Sequence, residues 1–564
     1  MLILVNSSDS TRGSVGASSV RLLELRFPSN DDTMMQSTFS RAQKQDLFLI
    51  CIFFFVGSFQ LSAREASSLP NLIVIYTDDQ GYGDVSHLNP ESKFRTPTLD
   101  RLAAEGMVFN DAHCSDTVCT PSRYGLLTGR YAWRTELKRG VFGSERPCLI
   151  EDGRMTLASL LAENGYATAM VGKWHLGMEF PGTRESRDWK KPVLDMPLDK
   201  GFDYFYGIPA SLNYGILAWF EGRYANNPPT LYTQKKPNRL AIDDYRIQPP
   251  YDASAKVLGE TNSLGIVKGS LEIASDFVDS QCLTQFTDRA ITWIENHQRQ
   301  QNVSQPFFLY LPYTSPHKPV IPIERFRGQS SAGAYGDFMM ETDWHIGRLL
   351  DTLDRLGIDD QTMIVFSSDN GPETTWKKRA AQFGHQSNFH FREGKRSIYE
   401  GGHRVPFFVR WPGHVRSGGV SSRTICQTDL LATLAELVGA NVPDHAGEDS
   451  VSFLSELLPQ KAAEGVSKYR LPVVHHSSGG GFAIRDRQWK LIMPHRRQKL
   501  ELYDLSLDPS EQKDLSEAFP DVVNRLTQAL TEIVNKGRTT EGMPQANDQL
   551  WWEDLTWMEP PHSK

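Results

Sequence analysis

The chain has 564 residues, well beyond the ~100–200 of a single domain, so one large domain with at least one smaller companion is expected. Hydrophobic residues make up 39% and charged residues 23%, which fits a globular protein that buries a sizeable core. The net charge of -8 argues against a protein that coats nucleic acid, and any anion site must be a local concentration of positive charge.

The run Leu47 to Val56 (LFLICIFFFV) follows Arg41 and Lys44 and precedes Leu61-Ser62-Ala63. This is the basic region, apolar region and small-residue cleavage site of a signal peptide. It is shorter than the ~20 apolar residues of a bilayer span, so no retained anchor is expected. Residues before Met34 and Met35 lack hydrophobic periodicity; translation is expected to start at one of these methionines and the mature chain near Arg64. Of six cysteines, Cys51 leaves with this segment, and Cys114, Cys119, Cys148, Cys282 and Cys426 remain. An odd number in an oxidising compartment points to one special thiol, the alternative being scattered buried thiols.

In chain order, Asn71 to Thr77 (NLIVIYT) reads as a buried strand running into Asp78-Asp79. Helices are expected around Leu99 to Glu105 and Leu157 to Glu163, each stopped by a glycine, with a strand at Tyr166 to Val171. The segment from about Lys190 to Lys268 is rich in Pro, Asn, Tyr and Gly, and reads as an excursion over the sheet. Pro306 to Pro312 and Met363 to Ser367 are further strands, Phe338 to Leu356 and Thr428 to Val438 further helices. This alternation predicts a large, mostly parallel sheet covered by helices on both faces. From about Arg470 short runs separated by turns predict a small antiparallel sheet and a helix near Val522 to Asn535. The expected division is a signal-peptide region at 1–63, an α/β domain at 64–460 and an α+β subdomain at 461–564.

Four of the strand ends carry polar groups able to do chemistry: Asp78-Asp79, Lys173 with His175, His317, and Asp369-Asn370. In open α/β sheets ligands bind outside the carboxyl ends of strands. Three carboxylates and an amide, without thiolate or imidazole, form a set for a hard cation such as calcium or magnesium. Each group alone would serve equally as a turn former. In Cys119-Thr-Pro-Ser-Arg123 the proline marks a helix start, which places Cys119 at the positive end of the helix with Arg123 one turn on. On its own this is either an activated or a buried thiol.

Cys119-Thr-Pro-Ser-Arg-Tyr-Gly-Leu-Leu-Thr-Gly-Arg130 resembles the sulfatase signature, and Gly165 to Gly177 resembles that family's second signature. Asp78 to Asp84, Ser315-Pro-His317, Ser368-Asp-Asn-Gly371, Gly394-Lys395 and Glu400-Gly-Gly402 follow in the family's order. The resemblance runs from about Pro70 to about Leu515. It implies an alkaline-phosphatase-like α/β fold and a Cys119 oxidised to formylglycine by a maturation enzyme. It also implies one Ca²⁺ held by Asp78, Asp79, Asp369 and Asn370. Arg123, Lys173, His175, His317 and Lys395 complete the implied catalytic set, with His317 protonating the leaving oxygen and His175 taking the proton that releases sulfate. The loop from Trp376 to Arg392 looks like that of bacterial sulfatases acting on sulfated sugars, so His385, His390 and Arg392 are candidate substrate contacts; an exposed basic turn is the alternative. The expected activity is hydrolysis of sulfate esters, of sulfated carbohydrates or aryl sulfates, in the periplasm or outside the cell. The alternatives are a phosphonate monoester or phosphodiester hydrolase of the same fold, and a non-catalytic glycan-binding relative.

Overall fold

Every residue of Asn71–Asp78 (β1) is buried, and a strand covered on both faces has to be apolar along its length, as NLIVIYT is. In the computed structural model, which describes residues 69–234, 270–300, 304–459 and 472–560, β1 lies inside a ten-stranded sheet. The other strands, in chain order, are Met107–Phe109 (β2), Ala167–Lys173 (β3), Tyr204–Ile208 (β4), Phe220–Glu221 (β5), Tyr224–Ala225 (β6), Phe307–Pro316 (β7), Thr362–Ser368 (β8), Phe407–Arg410 (β9) and Gly419–Ser421 (β10). They are arranged β10-β2-β9-β8-β1-β7-β3-β4-β5-β6. The central five, from β8 to β4, are all parallel, while β9 and β5 pair antiparallel on either side of them.

Helices cover the sheet: Pro97–Glu105 (α1), Cys119–Thr128 (α2), Leu157–Glu163 (α3), Cys282–Arg299 (α4), Gly333–Leu356 (α5), Trp376–Phe383 (α6), Glu400–His403 (α7) and Leu430–Val438 (α8). The long α5 buries Phe338, Met339, Ile346, Leu349, Leu350 and Leu353 and ends on Gly357, whose φ of 67° supplies the left-handed cap. A second, four-stranded antiparallel sheet follows, Val473–His476 (β11), Phe482–Asp486 (β12), Trp489–Ile492 (β13) and Glu501–Asp504 (β14), packed on Pro520–Lys536 (α9). The described residues, from 69 to 560, belong to one compact unit.

Two local readings change. The Lys190–Lys268 segment contributes β4, β5 and β6 to the main sheet, because the buried aromatics of Tyr204–Ile208 pair with β3; its stretch from 235 to 268 lies outside the described residues. The basic loop after Asn370 contains a two-turn helix, α6, closed by Gly384 at φ 70°. The signal-peptide region, the start methionines and the 460/461 boundary also lie outside the described residues.

Candidate active site

The strands β8, β1, β7 and β3 are consecutive neighbours, so their carboxyl ends bring Asp369-Asn370, Asp78-Asp79, His317 and Lys173-His175 to one edge. The register of β1 shifts between Tyr76 and Asp78, which turns the chain at the place where the two aspartates must diverge. Asp79 and His175 both have left-handed backbones, φ 67° and 61°, a conformation that costs a non-glycine residue about 1 kcal/mol or more and is kept where the surroundings enforce it. The first turn of α2 completes the edge with Cys119, and the loop before α7 adds Lys395.

Each carboxylate has a basic partner. Lys173 Nζ donates to Asp78 at 2.5 Å, Lys395 Nζ to Asp79 at 2.5 Å, and Arg123 grips Asp369 Oδ2 through Nε at 3.1 Å and a terminal nitrogen at 2.7 Å. The Cys119 thiol lies 3.5 Å from Asp78 Oδ1 and 3.7 Å from Lys395 Nζ. All of these groups are buried. Burial pushes the Cys119 thiol up against the opposing pull of Lys173 and Lys395, so the unmodified side chain is not an activated thiolate. Burial would also raise Asp79, but Lys395 and His317 outweigh it and hold that carboxyl below the ordinary value. Asp369 is pushed up to about 6 by burial and by Asp78.

The oxygens test whether a cation belongs here. Asp79 Oδ2 and Asn370 Oδ1 are buried without hydrogen-bond partners, while the Asn370 amide donates to Asp79 Oδ1 at 2.8 Å and to Gly371 O at 2.9 Å. Unpaired buried oxygens are costly, and an all-oxygen set of this kind fits a hard divalent ion. One ligand atom each from Asp78, Asp79, Cys119 and His317 lies within 4.8 Å of the others.

The histidines divide by tautomer. His175 Nε2–H donates to Phe142 O at 3.0 Å, which leaves its buried Nδ1 an unpartnered acceptor. His317 Nδ1–H donates to Lys318 O at 2.6 Å, which leaves Nε2 facing Asp79 Oδ2 at 3.8 Å. Burial lowers His317 to about 3 and takes His175 well below its ordinary value.

The candidate substrate contacts fall elsewhere. His385 is buried, with Nε2 on Asp84 at 2.8 Å and Nδ1 accepting from Lys93 N at 3.3 Å. Arg392 donates to Tyr503 Oη at 3.1 Å and to Glu511 O at 2.9 Å, and His390 packs on Phe389 and Phe391. The structure does not gather these three around Cys119. It does bring up Glu373 and Arg396, which sequence reasoning passed over although they adjoin the Asp369-Asn370 motif and Lys395. Arg396 binds Glu373 through both terminal nitrogens, at 2.6 and 3.0 Å. Thr120 was missed too: its hydroxyl donates to His175 O at 3.0 Å and accepts from Phe142 N at 3.1 Å, a link that only the fold reveals.

A buried cluster of carboxylates and bases at the carboxyl edge of a large, mostly parallel sheet is the arrangement of an alkaline-phosphatase-like α/β enzyme. The family model Sulfatase matches residues 70–440, and the model for the C-terminal part of N-sulphoglucosamine sulphohydrolase matches 389–536. The chain belongs to the sulfatase family and is a sulfuric ester hydrolase. It is 32% identical to an N-acetylgalactosamine-6-O-sulfatase of Bacteroides thetaiotaomicron, over 83% of this chain and 93% of that protein. It is 31% identical to human arylsulfatase A, over 82% and 87%. A solved Bacteroides thetaiotaomicron sulfatase from a study of glycosaminoglycan metabolism superposes with a TM-score of 0.70 at 31% identity, covering 83% of this chain and 99% of that one. A phosphonate monoester hydrolase of Agrobacterium radiobacter shares the fold, at 18% identity and a TM-score of 0.53.

Proposed function

We propose that this is an exported, calcium-dependent sulfatase of sulfated carbohydrates, working through a formylglycine made from Cys119 by a maturation enzyme. The observation that carries this reading is the position of Cys119, within 3.7 Å of Lys395 and 3.5 Å of Asp78, beside the two orphaned oxygens of Asp79 and Asn370. Asp78, Asp79, Asp369 and Asn370 would hold Ca²⁺, which when bound neutralises charge on the sulfate and on the nucleophile. Lys173, Lys395 and Arg123 orient the three carboxylates and add positive charge where anionic oxygens gather. The free Nδ1 of His175 accepts a proton, and Nε2 of His317 faces the reacting group to hand one to the leaving oxygen. A bound sulfate raises the proton affinity of a buried imidazole, which suits His317 to that task. The carbohydrate preference follows the N-acetylgalactosamine-6-O-sulfatase relative.

The division into an α/β domain at 64–460 and a subdomain at 461–564 is part of the proposal, as is periplasmic or secreted localisation. No helix among the described residues is long and apolar enough to cross a membrane.

The test is inorganic sulfate release from sulfated mono- and oligosaccharides, an aryl sulfate and an aryl phosphonate, using protein matured in a formylglycine-forming host. Release from a sulfated sugar is expected to vanish in Cys119→Ala and after chelation with EGTA, and to return with calcium. Turnover of the phosphonate alone, or undiminished turnover in Cys119→Ala, would sink the reading.

A further inference from the structure

A narrow cleft adjoins the cluster around Cys119, lined by Asp79, Lys318, Tyr335, Glu373, Thr375 and Arg379. The guanidinium of Arg379 is buried, and among the described residues no carboxylate hydrogen-bonds to it. Its Nε donates to Ser387 Oγ at 3.0 Å, but both terminal nitrogens lack hydrogen-bond partners. The group stacks on Tyr335, 3.3 Å from the ring centroid, which fixes its plane. Asp84 feels the charge of Arg379, yet its oxygens are already taken by His385 at 2.8 Å, Tyr335 Oη at 2.6 Å and Gly81 N at 2.8 Å.

The two carboxylates that line the cleft are also partnered, Asp79 by Lys395 Nζ at 2.5 Å. Glu373 is neutralised by its two-point contact with Arg396 and accepts from Thr374 N at 2.8 Å and Thr374 Oγ1 at 2.9 Å. Lys318 Nζ stands off at 3.5 Å, partly exposed at the rim. Lys318 and Arg379 are therefore cations in excess of the carboxylates around them. A buried guanidinium with two idle donors is costly unless an oxyanion meets it, and its planar fork suits a carboxylate or a sulfate.

Resting on the proposed activity, we infer that this cleft is a second anion subsite. In it Arg379 and Lys318 bind an oxyanion carried by the same saccharide, next to the sulfate that is removed. A uronate carboxylate and a second sulfate share this chemistry. Because Asp79 also lines the cleft, the second anion lies beside the reacting group, and Arg379 and Lys318 set specificity while the chemical step stays with the cluster around Cys119.

The test compares three substrates sharing one hydrolysable sulfate: the monosulfated monosaccharide, the same sugar with a second sulfate, and a disaccharide that adds a uronate. Wild type should favour one or both of the doubly anionic substrates in kcat/KM, and which one names the source of the anion. Arg379→Gln and Lys318→Gln should each lose that preference by about tenfold or more, with kcat/KM for the monosaccharide little changed. Lys318 lies at the rim, so its variant keeps the test open if the buried substitution unfolds the protein. Titration of glucuronate into the same proteins is an arm independent of turnover, and both variants should bind it at least tenfold more weakly. Equal kcat/KM losses on all three substrates, or unchanged glucuronate binding, overturn the subsite. Absence of sulfate release by wild type from every substrate would instead count against the proposed activity, and the glucuronate arm would still decide the subsite.

Discussion

At the scale of single residues, buried charge is the dominant cost, and most side chains near the catalytic edge meet it with a partner. Glu341, on the inner face of α5, does so by keeping its proton. Its Oε2 accepts from Ile323 N at 2.9 Å, while Oε1 has no hydrogen-bond partner and lies 3.8 Å from His345 Nε2. Burial raises it from 4.5 to about 8, against the opposing effects of the Ile323 N–H and Arg327. His345 is itself lowered to about 3 by burial and stays neutral. Between pH 4.5 and 8 the native state holds a proton that the unfolded chain has released, so stability falls as pH rises through that window. Glu341→Gln keeps the amide-like geometry and removes the titration. Its Tm relative to wild type should climb by several degrees from pH 5 to pH 8.5, a gain of at most about 5 kcal/mol. A Tm difference flat across that range would show that Glu341 titrates normally.

At the scale of elements, the active edge depends on backbones that touch. Gly371, directly after Asn370, donates its N–H to Gly402 O at 3.0 Å, and a Cβ there would lie 1.8 Å from Gly401 O. The short α7 and the end of β8 are thus in direct main-chain contact. This explains glycines at 371, 401 and 402 without any special φ, since a Cβ at Gly401 or Gly402 would also meet backbone oxygens at 2.2 and 2.0 Å. Gly371→Ala must push α7 away or displace Asn370. We expect kcat/KM to fall about 100-fold or more, since misplacing a positioning group by ~1 Å costs about that much. Circular dichroism should remain that of a folded protein. Near-wild-type kinetics in a folded Gly371→Ala protein would mean the contact yields freely.

At the scale of the whole molecule, the antiparallel sheet is joined to the main sheet by a buried ionic network. Lys490, on β13, donates to Glu400 at 3.0 Å, to Glu511 at 2.8 Å and to His403 Nε2 at 3.0 Å. His403 and His113 meet through Nδ1 at 3.0 Å, and His113 Nε2–H donates to Asp111 at 2.9 Å. Since His113 donates through Nε2 to Asp111, its Nδ1 accepts the proton carried by His403 Nδ1, which leaves His403 Nε2, also 3.1 Å from Ile398 O, to accept from Lys490. His475, on β11, stacks on His403 at 3.9 Å. Although His113, Glu400, His403 and His475 could together ligate a metal, the Lys490 ammonium already provides their positive charge. Lys490→Met would leave Glu400 and Glu511 facing each other, at a cost of about 3–5 kcal/mol. Adding Glu511→Gln to Lys490→Met should recover part of the loss, which denaturant unfolding of the single and double variants would measure. Strict additivity would mean that the two groups do not interact.

Much of the site was legible before any fold was known. Asp78-Asp79, Asp369-Asn370, Lys173-His175 and His317 each follow a strand-like apolar run, and the carboxyl ends of parallel strands converge whatever the rest of the chain does. A proline and an arginine marked Cys119 as standing at a helix start, and only the resemblance to the sulfatase signature singled it out as a nucleophile. These are local signals, written by periodicity and by the chemistry of single side chains. The sheet order was not legible, because strands separated by up to 312 residues pair through backbone groups common to every residue. Nor could the sequence separate His385, turned inward onto Asp84, from Arg379, whose terminal nitrogens have no hydrogen-bond partner. Both stand in one basic stretch and both are buried, and only the packing of α6 against Tyr335 decides which of them finds partners and which keeps donors to spare.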